Sequence, residues 1–155
     1  MQIQVLPAPT PAFEALVHTH ANFCDSTAPA ESCHRLPVTA LFTPAITVFG
    51  AFEGDALLGM GALKTLSKTD GELKSMHTAA EARGKGVAKA ILRAIFDMAV
   101  RKGIGTLWLE TGIHPDFATA HMLYRAHGFT ICAPFGDYDL DPHSIFMTKT
   151  LEATR

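Results

Sequence analysis

Residues 72–88, ELKSMHTAAEARGKGVA, hold the densest set of groups able to do chemistry. Arg83-Gly84-Lys85-Gly86 stands directly before a long segment with helical apolar spacing. Two glycines let the backbone approach a ligand closely and turn several N–H groups toward one point. The start of a helix adds unsatisfied N–H donors and a partial positive charge. Arg83, Lys85 and Lys89 add full charges at the same place, which makes it an anion site. From Lys74 to Lys102 there are seven basic and two acidic residues, a local excess of five. The chain lacks both G-x-x-x-x-G-K-S/T and the full G-x-G-x-x-G, so an elongated cofactor carrying a pyrophosphate suits this loop better than a simple nucleotide. The plainer reading is a glycine-rich turn followed by a solvated basic face.

Other reactive side chains form no pattern of their own. Cys24, Cys33 and Cys132 are odd in number and irregular in spacing, which is no disulfide framework. Cys33-His34 has no second close pair to complete a tetrahedral site, so no metal is expected.

The anion loop needs a scaffold, and hydropathy patterning supplies one. Residues 2–6 alternate as a strand, and Pro7, Pro9 and Pro11 stop it. A helix begins after Thr10 with Phe13, Leu16, Val17 and His20 on one face and Pro11 in its first turn. Residues 24–37 are broken by prolines and are expected to wrap the surface, with a short helix at 38–42. Residues 46–52 and 56–66 flank Glu53-Gly54-Asp55 as a hairpin, and 72–78 add a third antiparallel strand. The period then changes. Val87, Ile91, Ile95 and Met98 recur at helical spacing, while Lys89, Arg93, Asp97 and Arg101 form the opposite polar stripe. Lys102-Gly103 ends that helix. A strand at 106–110, a helix N-capped by Asp116 and running to about His127, and closing strands at 129–132 and 144–151 complete an α+β order.

Composition bounds the function. The 155 residues fit one domain, and 48% hydrophobic with 18% charged excludes a disordered tail. A net charge of −2 argues against broad nucleic-acid binding. The apolar runs fall far short of the ~20 residues of a membrane span. Residues 1–10 have no basic region followed by a hydrophobic stretch, so a soluble cytoplasmic protein is expected.

Arg83, Gly86 and Ala88, spaced R/Q-x-x-G-x-G/A between a strand and a helix, resemble the signature of the GCN5-related N-acetyltransferase (GNAT) superfamily. Ala120-x-x-Leu123-Tyr124-Arg125-x-x-Gly128-Phe129 resembles its second common motif. Leu109-Glu110-Thr111-Gly112, Pro134-Phe135-Gly136-Asp137-Tyr138 and Phe146-Met147-x-Lys149 look like one subgroup of small bacterial acetyltransferases. The patches together span residues 31–151. Three positions depart from the superfamily's habit: Thr78 and Ala80 replace a valine and a proline, and Phe117 replaces an asparagine. Backbone contacts survive these changes, whereas an asparagine side-chain contact is not carried over.

The resemblance implies a mixed, mostly antiparallel sheet of about seven strands flanked by about four helices, in a single domain. It implies acetyl-CoA as co-substrate and an amine acceptor: a small molecule, an amino acid or a protein N-terminus. Arg83, Gly84, Lys85, Gly86, Val87, Ala88 and Lys89 would hold the pyrophosphate, and main-chain groups of Met76, His77 and Thr78 the pantetheine arm. Tyr124 would be the general acid near the sulfur, with Glu72 or Glu110 as base or cation binder and a backbone N–H at His77 meeting the oxyanion. Ser32, Cys33 and His34 are acceptor-side candidates. The cysteines stand far in sequence from the cofactor motif, which disfavours a cysteine nucleophile. Superfamily members often pair through C-terminal strands, which offers residues 145–151 for a homodimer. The alternative is a non-catalytic acyl-CoA-binding sensor.

Overall fold

The computed structural model describes residues 1–29, 32 and 36–151. Seven strands, β1 (Gln2–Leu6), β2 (Ile46–Glu53), β3 (Ala56–Thr65), β4 (Asp70–Thr78), β5 (Thr106–Gly112), β6 (Thr130–Cys132) and β7 (Ser144–Thr150), form one sheet in the order β1-β2-β3-β4-β5-β7-β6. Every neighbouring pair is antiparallel except β4 and β5. Four helices accompany the sheet: α1 (Pro11–Thr27), α2 (Val38–Leu41), α3 (Val87–Arg101) and α4 (Ala118–Ala126). This is the α+β architecture expected from the sequence.

Each face of the sheet is covered for the reason its sequence suggests. Val87, Ile91 and Ile95 of the predicted stripe, with Leu92 and Ala99 beside them, are at most 2% exposed, while Met98 is only partly buried. Gly59 and Gly61 on β3 meet that helix: a Cβ at Gly61 would stand 2.8 Å from Ile91 and 2.5 Å from Met76 Sδ. The opposite face receives α1 through Phe13, Leu16 and Val17, with Phe13 edge-on to Phe42 at 5.4 Å. The Thr10 hydroxyl accepts from Phe13 N–H at 3.2 Å and caps α1.

Two boundaries differ from expectation, and the pairing of the last strand adds a third finding. Residues 24–27 continue α1 instead of wrapping the surface, and the helix stops only before Pro29. Asp116 is not the cap of α4. His114 Nδ1 accepts from Asp116 N–H at 3.1 Å and closes a short 3₁₀ turn, Pro115–Phe117, from which α4 departs at Ala118. Finally, β7 is internal, with β5 on one edge and β6 on the other. Within the chain β6 covers Phe146–Thr148 of the edge offered for pairing with a second copy.

The decisive feature lies between β4 and β5. They pair only over Asp70↔Thr106, Gly71↔Leu107 and Glu72↔Trp108, and then part. At the root of this split the Trp108 indole N–H donates to Asp70 Oδ1 at 3.0 Å. The Ser67 and Thr69 hydroxyls donate to Oδ2, each at 2.9 Å. Beyond the root β4 carries a bulge. Its register against β3 shifts between Met60↔His77 and Ala62↔Lys74, so Ser75 and Met76 together oppose Gly61. Ser75 takes φ 57°, a left-handed conformation unusual for a residue with a side chain. One extra residue resets the alternation. Glu72, Lys74 and His77 consequently share the α1 face, while Met76 turns toward α3.

Candidate active site

A cavity of about 110 Å³ opens where β4 and β5 diverge. Its walls come from both strands, from α1 through His20, Cys24 and Thr27, and from α4 through Ala120 and Tyr124. The split thus joins the two faces of the sheet, and groups from opposite sides can meet in it.

Glu72 is 3% exposed and anchors one wall. Its Oε2 accepts from Lys74 Nζ at 3.1 Å and from the Tyr138 hydroxyl at 2.6 Å, while Lys74 also donates to the Tyr138 oxygen at 2.9 Å. Tyr138 reaches this point because its loop is pinned by aromatic packing. Phe135 stacks near Trp108 at 5.5 Å, and Tyr138 packs on Phe135 at 5.0 Å and Phe146 at 5.6 Å. Burial and the neighbouring Glu72 push the Tyr138 phenol well above its ordinary range, so it stays a donor. Across the split, Glu110 accepts from the Ser144 hydroxyl at 2.8 Å.

Tyr124 lies opposite, 6% exposed, with its ring edge-on to Phe129 at 5.8 Å. Its hydroxyl has no hydrogen-bond partner among the described residues. Burial, and then the charge of Glu110, push this phenol far above its ordinary range and keep it protonated.

On the α1 face, His20 and His77 place their Nδ1 atoms 3.0 Å apart, and Cys24 Sγ lies 3.7 Å from His20 Nε2. Phe23 packs edge-on against both His77 and Phe117, at 6.0 and 5.0 Å. Phe117, standing where the resemblance led one to look for asparagine, is therefore an apolar wall of the cavity. Burial first, and the Arg83 charge second, lower the pKa of His77.

The glycine loop turns as its two glycines allow. Gly84 and Gly86 take φ 77° and 78°, and a Cβ on either would meet nothing within 4 Å. The first backbone bond of α3 runs from Ala90 N–H to Gly86 O at 3.0 Å, leaving the N–H groups of Val87, Ala88 and Lys89 directed out of the helix end. The first turn of α3 carries no acidic residue, and Gly86 brings no side-chain cap to compete for these donors. Arg83, Lys85 and Lys89 are exposed around them. The loop fits a pyrophosphate: fixed donors, added charge and open space.

Glu72, Met76, Glu110 and Tyr124 therefore meet in one cavity, and residues 83–89 lie along the chain that leaves its β4 wall. His77 requires correction. Ala79 N–H bonds to Leu58 O, and the alternation of an antiparallel ladder then gives Met60 and His77 a hydrogen-bonded pairing. Its backbone N–H is directed to β3 and cannot meet an oxyanion in the split. Thr78, the next residue of the ladder, turns its backbone groups the other way. Ser32 lines the cavity, whereas Cys33 and His34 lie outside the described residues. Sequence reasoning missed Lys74, Tyr138, His20 and Cys24 as cavity groups. The last two had a usable signal, since His20 and Cys24 continue the α1 stripe at a spacing of four. Among the described residues, no set of His, Cys, Asp or Glu side chains is arranged to hold a metal ion, and no helix is long and apolar enough to cross a membrane.

The family model described as acetyltransferase (GNAT) family matches residues 12–129. The uncharacterized N-acetyltransferase YedL of Escherichia coli (strain K12) is 46% identical over 141 residues, covering 91% of this chain and 89% of its own. A Klebsiella pneumoniae subsp. pneumoniae MGH 78578 protein, provisionally assigned as an acyl-CoA N-acyltransferase, superposes with a TM-score of 0.79 at 26% identity over 97% of each chain. An aminoglycoside 6'-N-acetyltransferase solved with coenzyme A shares the fold at TM-score 0.73 and 14% identity, covering 100% of this chain and 99% of its own.

Proposed function

The chain belongs to the acetyltransferase (GNAT) family, and on that premise we propose that it transfers an acetyl group from acetyl-CoA to a primary amine by direct attack in the split between β4 and β5. The observation that carries this reading is Tyr124, a buried phenol on the cavity wall whose hydroxyl has no hydrogen-bond partner among the described residues. Leaving a buried hydroxyl unpaired costs about 1–3 kcal/mol. A partner that arrives with the ligand accounts for its retention.

Acetyl-CoA supplies the activated thioester and the pyrophosphate by which it is held. Arg83, Gly84, Lys85, Gly86, Val87, Ala88 and Lys89 grip that pyrophosphate with backbone donors and charge. Met76 and Thr78 offer main-chain groups to the pantetheine arm, and the Met76 N–H meets the oxygen that becomes negative during transfer. Tyr124, held neutral, gives its proton to the departing sulfur. Glu72 is already engaged by Lys74 and Tyr138, so it shapes the acceptor wall, while Glu110 faces the incoming amine and takes its proton. Glu72 and Glu110 against Lys74 give this wall a net negative charge, which favours an acceptor that arrives as an ammonium.

The test is incubation with acetyl-CoA and a panel of small amines, amino acids and N-terminal peptides, reading release of free thiol. Thiol release with one acceptor class supports transfer. Binding of acetyl-CoA without release for any amine favours the sensor. Saturating cofactor at a hundredfold excess over Kd adds about 2.7 kcal/mol. That raises Tm by roughly 5–10 °C for a domain of this size, and a flat titration defeats both readings.

A further inference from the structure

The cluster of Cys24, His20 and His77 is not used by the reaction above, although Cys24 and His20 both line its cavity. We propose that Cys24 is a second acceptor for the acetyl group: with no amine in the cleft, its thiol attacks the bound thioester and the enzyme carries the acetyl group on Cys24. The proposal rests on the reading that the thioester sits in the split between β4 and β5.

Three side chains stand in the order that activates a nucleophile. His20 and Cys24 are one helical turn apart on α1, and the sulfur lies 3.7 Å from His20 Nε2. The other ring nitrogen of His20 is 3.0 Å from His77 Nδ1, which comes from the strand lining the split. Only one proton fits between two Nδ1 atoms, so one ring donates and the other accepts. With His77 accepting, His20 is the tautomer whose Nε2 lone pair faces Cys24. A nucleophile, a base in reach of it and a third group that fixes the base's tautomer are the signature of an activated thiol. The Phe23 ring packs on His77 and on Phe117, which encloses the pair on an apolar side. His77 remains neutral because burial and Arg83 disfavour its charged form, so it can accept the hydrogen bond of a His20 imidazolium.

The step balances without another reagent. The Cys24 S–H proton moves to His20 Nε2, and the thiolate forms a new sulfur–carbon bond to the acetyl carbonyl. The carbon–sulfur bond to CoA breaks, and the CoA thiolate takes that proton from His20 to leave as free thiol, which returns His20 to its neutral form. One thioester replaces another. His20 is the base, and His77 positions it.

The test uses the whole chain with acetyl-CoA and no amine. Intact mass should show gain of one acetyl group, removed by hydroxylamine and mapped to Cys24. Acetyl-CoA binding by thermal shift and amine transfer are measured on the same preparation. If those succeed and Cys24 is unlabelled, or the label sits on Cys33, Cys132 or a lysine, the proposal is overturned while the transferase reading stands. A flat thermal titration overturns the cofactor reading and this proposal with it.

A second measurement needs no cofactor. Iodoacetamide should alkylate Cys24 at neutral pH about tenfold faster than Cys132. His77→Asn, whose amide oxygen can replace Nδ1 as acceptor, should retain that rate, and His77→Leu should lower it to that of Cys132. Equal rates at Cys24 and Cys132 in the unaltered chain overturn the activation of the thiol, as does a His77→Leu variant as reactive as the unaltered chain.

Discussion

Replacing Tyr124 by phenylalanine should slow the enzyme and strengthen the fold together, because the proposed mechanism uses the hydroxyl as an acid while its burial is costly to the resting protein. The ring is held by packing: Tyr124 is 6% exposed and lies edge-on to Phe129 at 5.8 Å, contacts that phenylalanine keeps. The substitution removes only a buried oxygen with no partner among the described residues. Relieving that desolvation should gain about 1 kcal/mol, or roughly 2–4 °C in Tm for a chain of this length. Loss of a positioned general acid should lower kcat by about 10²–10⁴-fold. That corresponds to about 3–5 kcal/mol of barrier. The assays are thiol release at saturating acetyl-CoA, thermal unfolding without ligand, and acetyl-CoA affinity, which should change less than about threefold. An unchanged kcat refutes the acid role. A drop in Tm of several degrees would instead make the hydroxyl part of the packing.

Other perturbations test the surrounding structure. Glu72→Ala should destabilise the chain by about 3–5 kcal/mol, since it leaves the Lys74 charge buried without its carboxylate. Glu72→Gln with Lys74→Met should recover most of that loss, read as urea midpoints at constant m. Gly86→Ala meets no steric obstacle but must hold φ 78°, so it should cost about 1–2 kcal/mol and weaken acetyl-CoA binding, seen by calorimetry on the folded variant. Asp70 has its carboxyl held below the usual range, chiefly by the Trp108 N–H and then by Ser67 and Thr69. A depressed folded-state pKa gives stability that is present above the unfolded value and lost as pH falls through the folded one. The Tm advantage of the unaltered chain over Asp70→Asn should therefore hold at neutral pH and shrink below about pH 4, and a constant gap across that range would contradict it.

What could be read beforehand was local. The hairpin of β2 and β3, the buried stripe of α3 and the glycine loop before it each depend on residues close in sequence, and each was found where patterning put it. The glycine loop was legible because it is written in consecutive residues. The cavity was not, because it is made by register. Ser75 gives no glycine to mark its bulge, and nothing in residues 70–78 says that β5 will leave after three pairs. Partners far apart were invisible for the same reason: Glu72 meets Tyr138 across 66 residues, and His20 meets His77 across 57. The error at Asp116 was of another kind. A strong N-cap residue was present, but Pro115 and the His114 ring closed a 3₁₀ turn one step earlier.

The bulge at Ser75 and Met76 also governs which changes the gene can tolerate. Side-chain direction along a strand has a parity, and substitutions leave it intact however drastic they are. Deleting Ser75 or Met76 would erase the bulge and leave Lys74 and His77 two positions apart, which in a regular strand is still one face. Deleting Leu73, outside the bulge, would instead make Glu72 and Lys74 neighbours in sequence and so put them on opposite faces, and no substitution elsewhere could bring them back. Point mutation can retune this site, but codon loss outside the bulge cannot. Length variation among working relatives should therefore gather in the turns on either side of the strand and at the bulge itself.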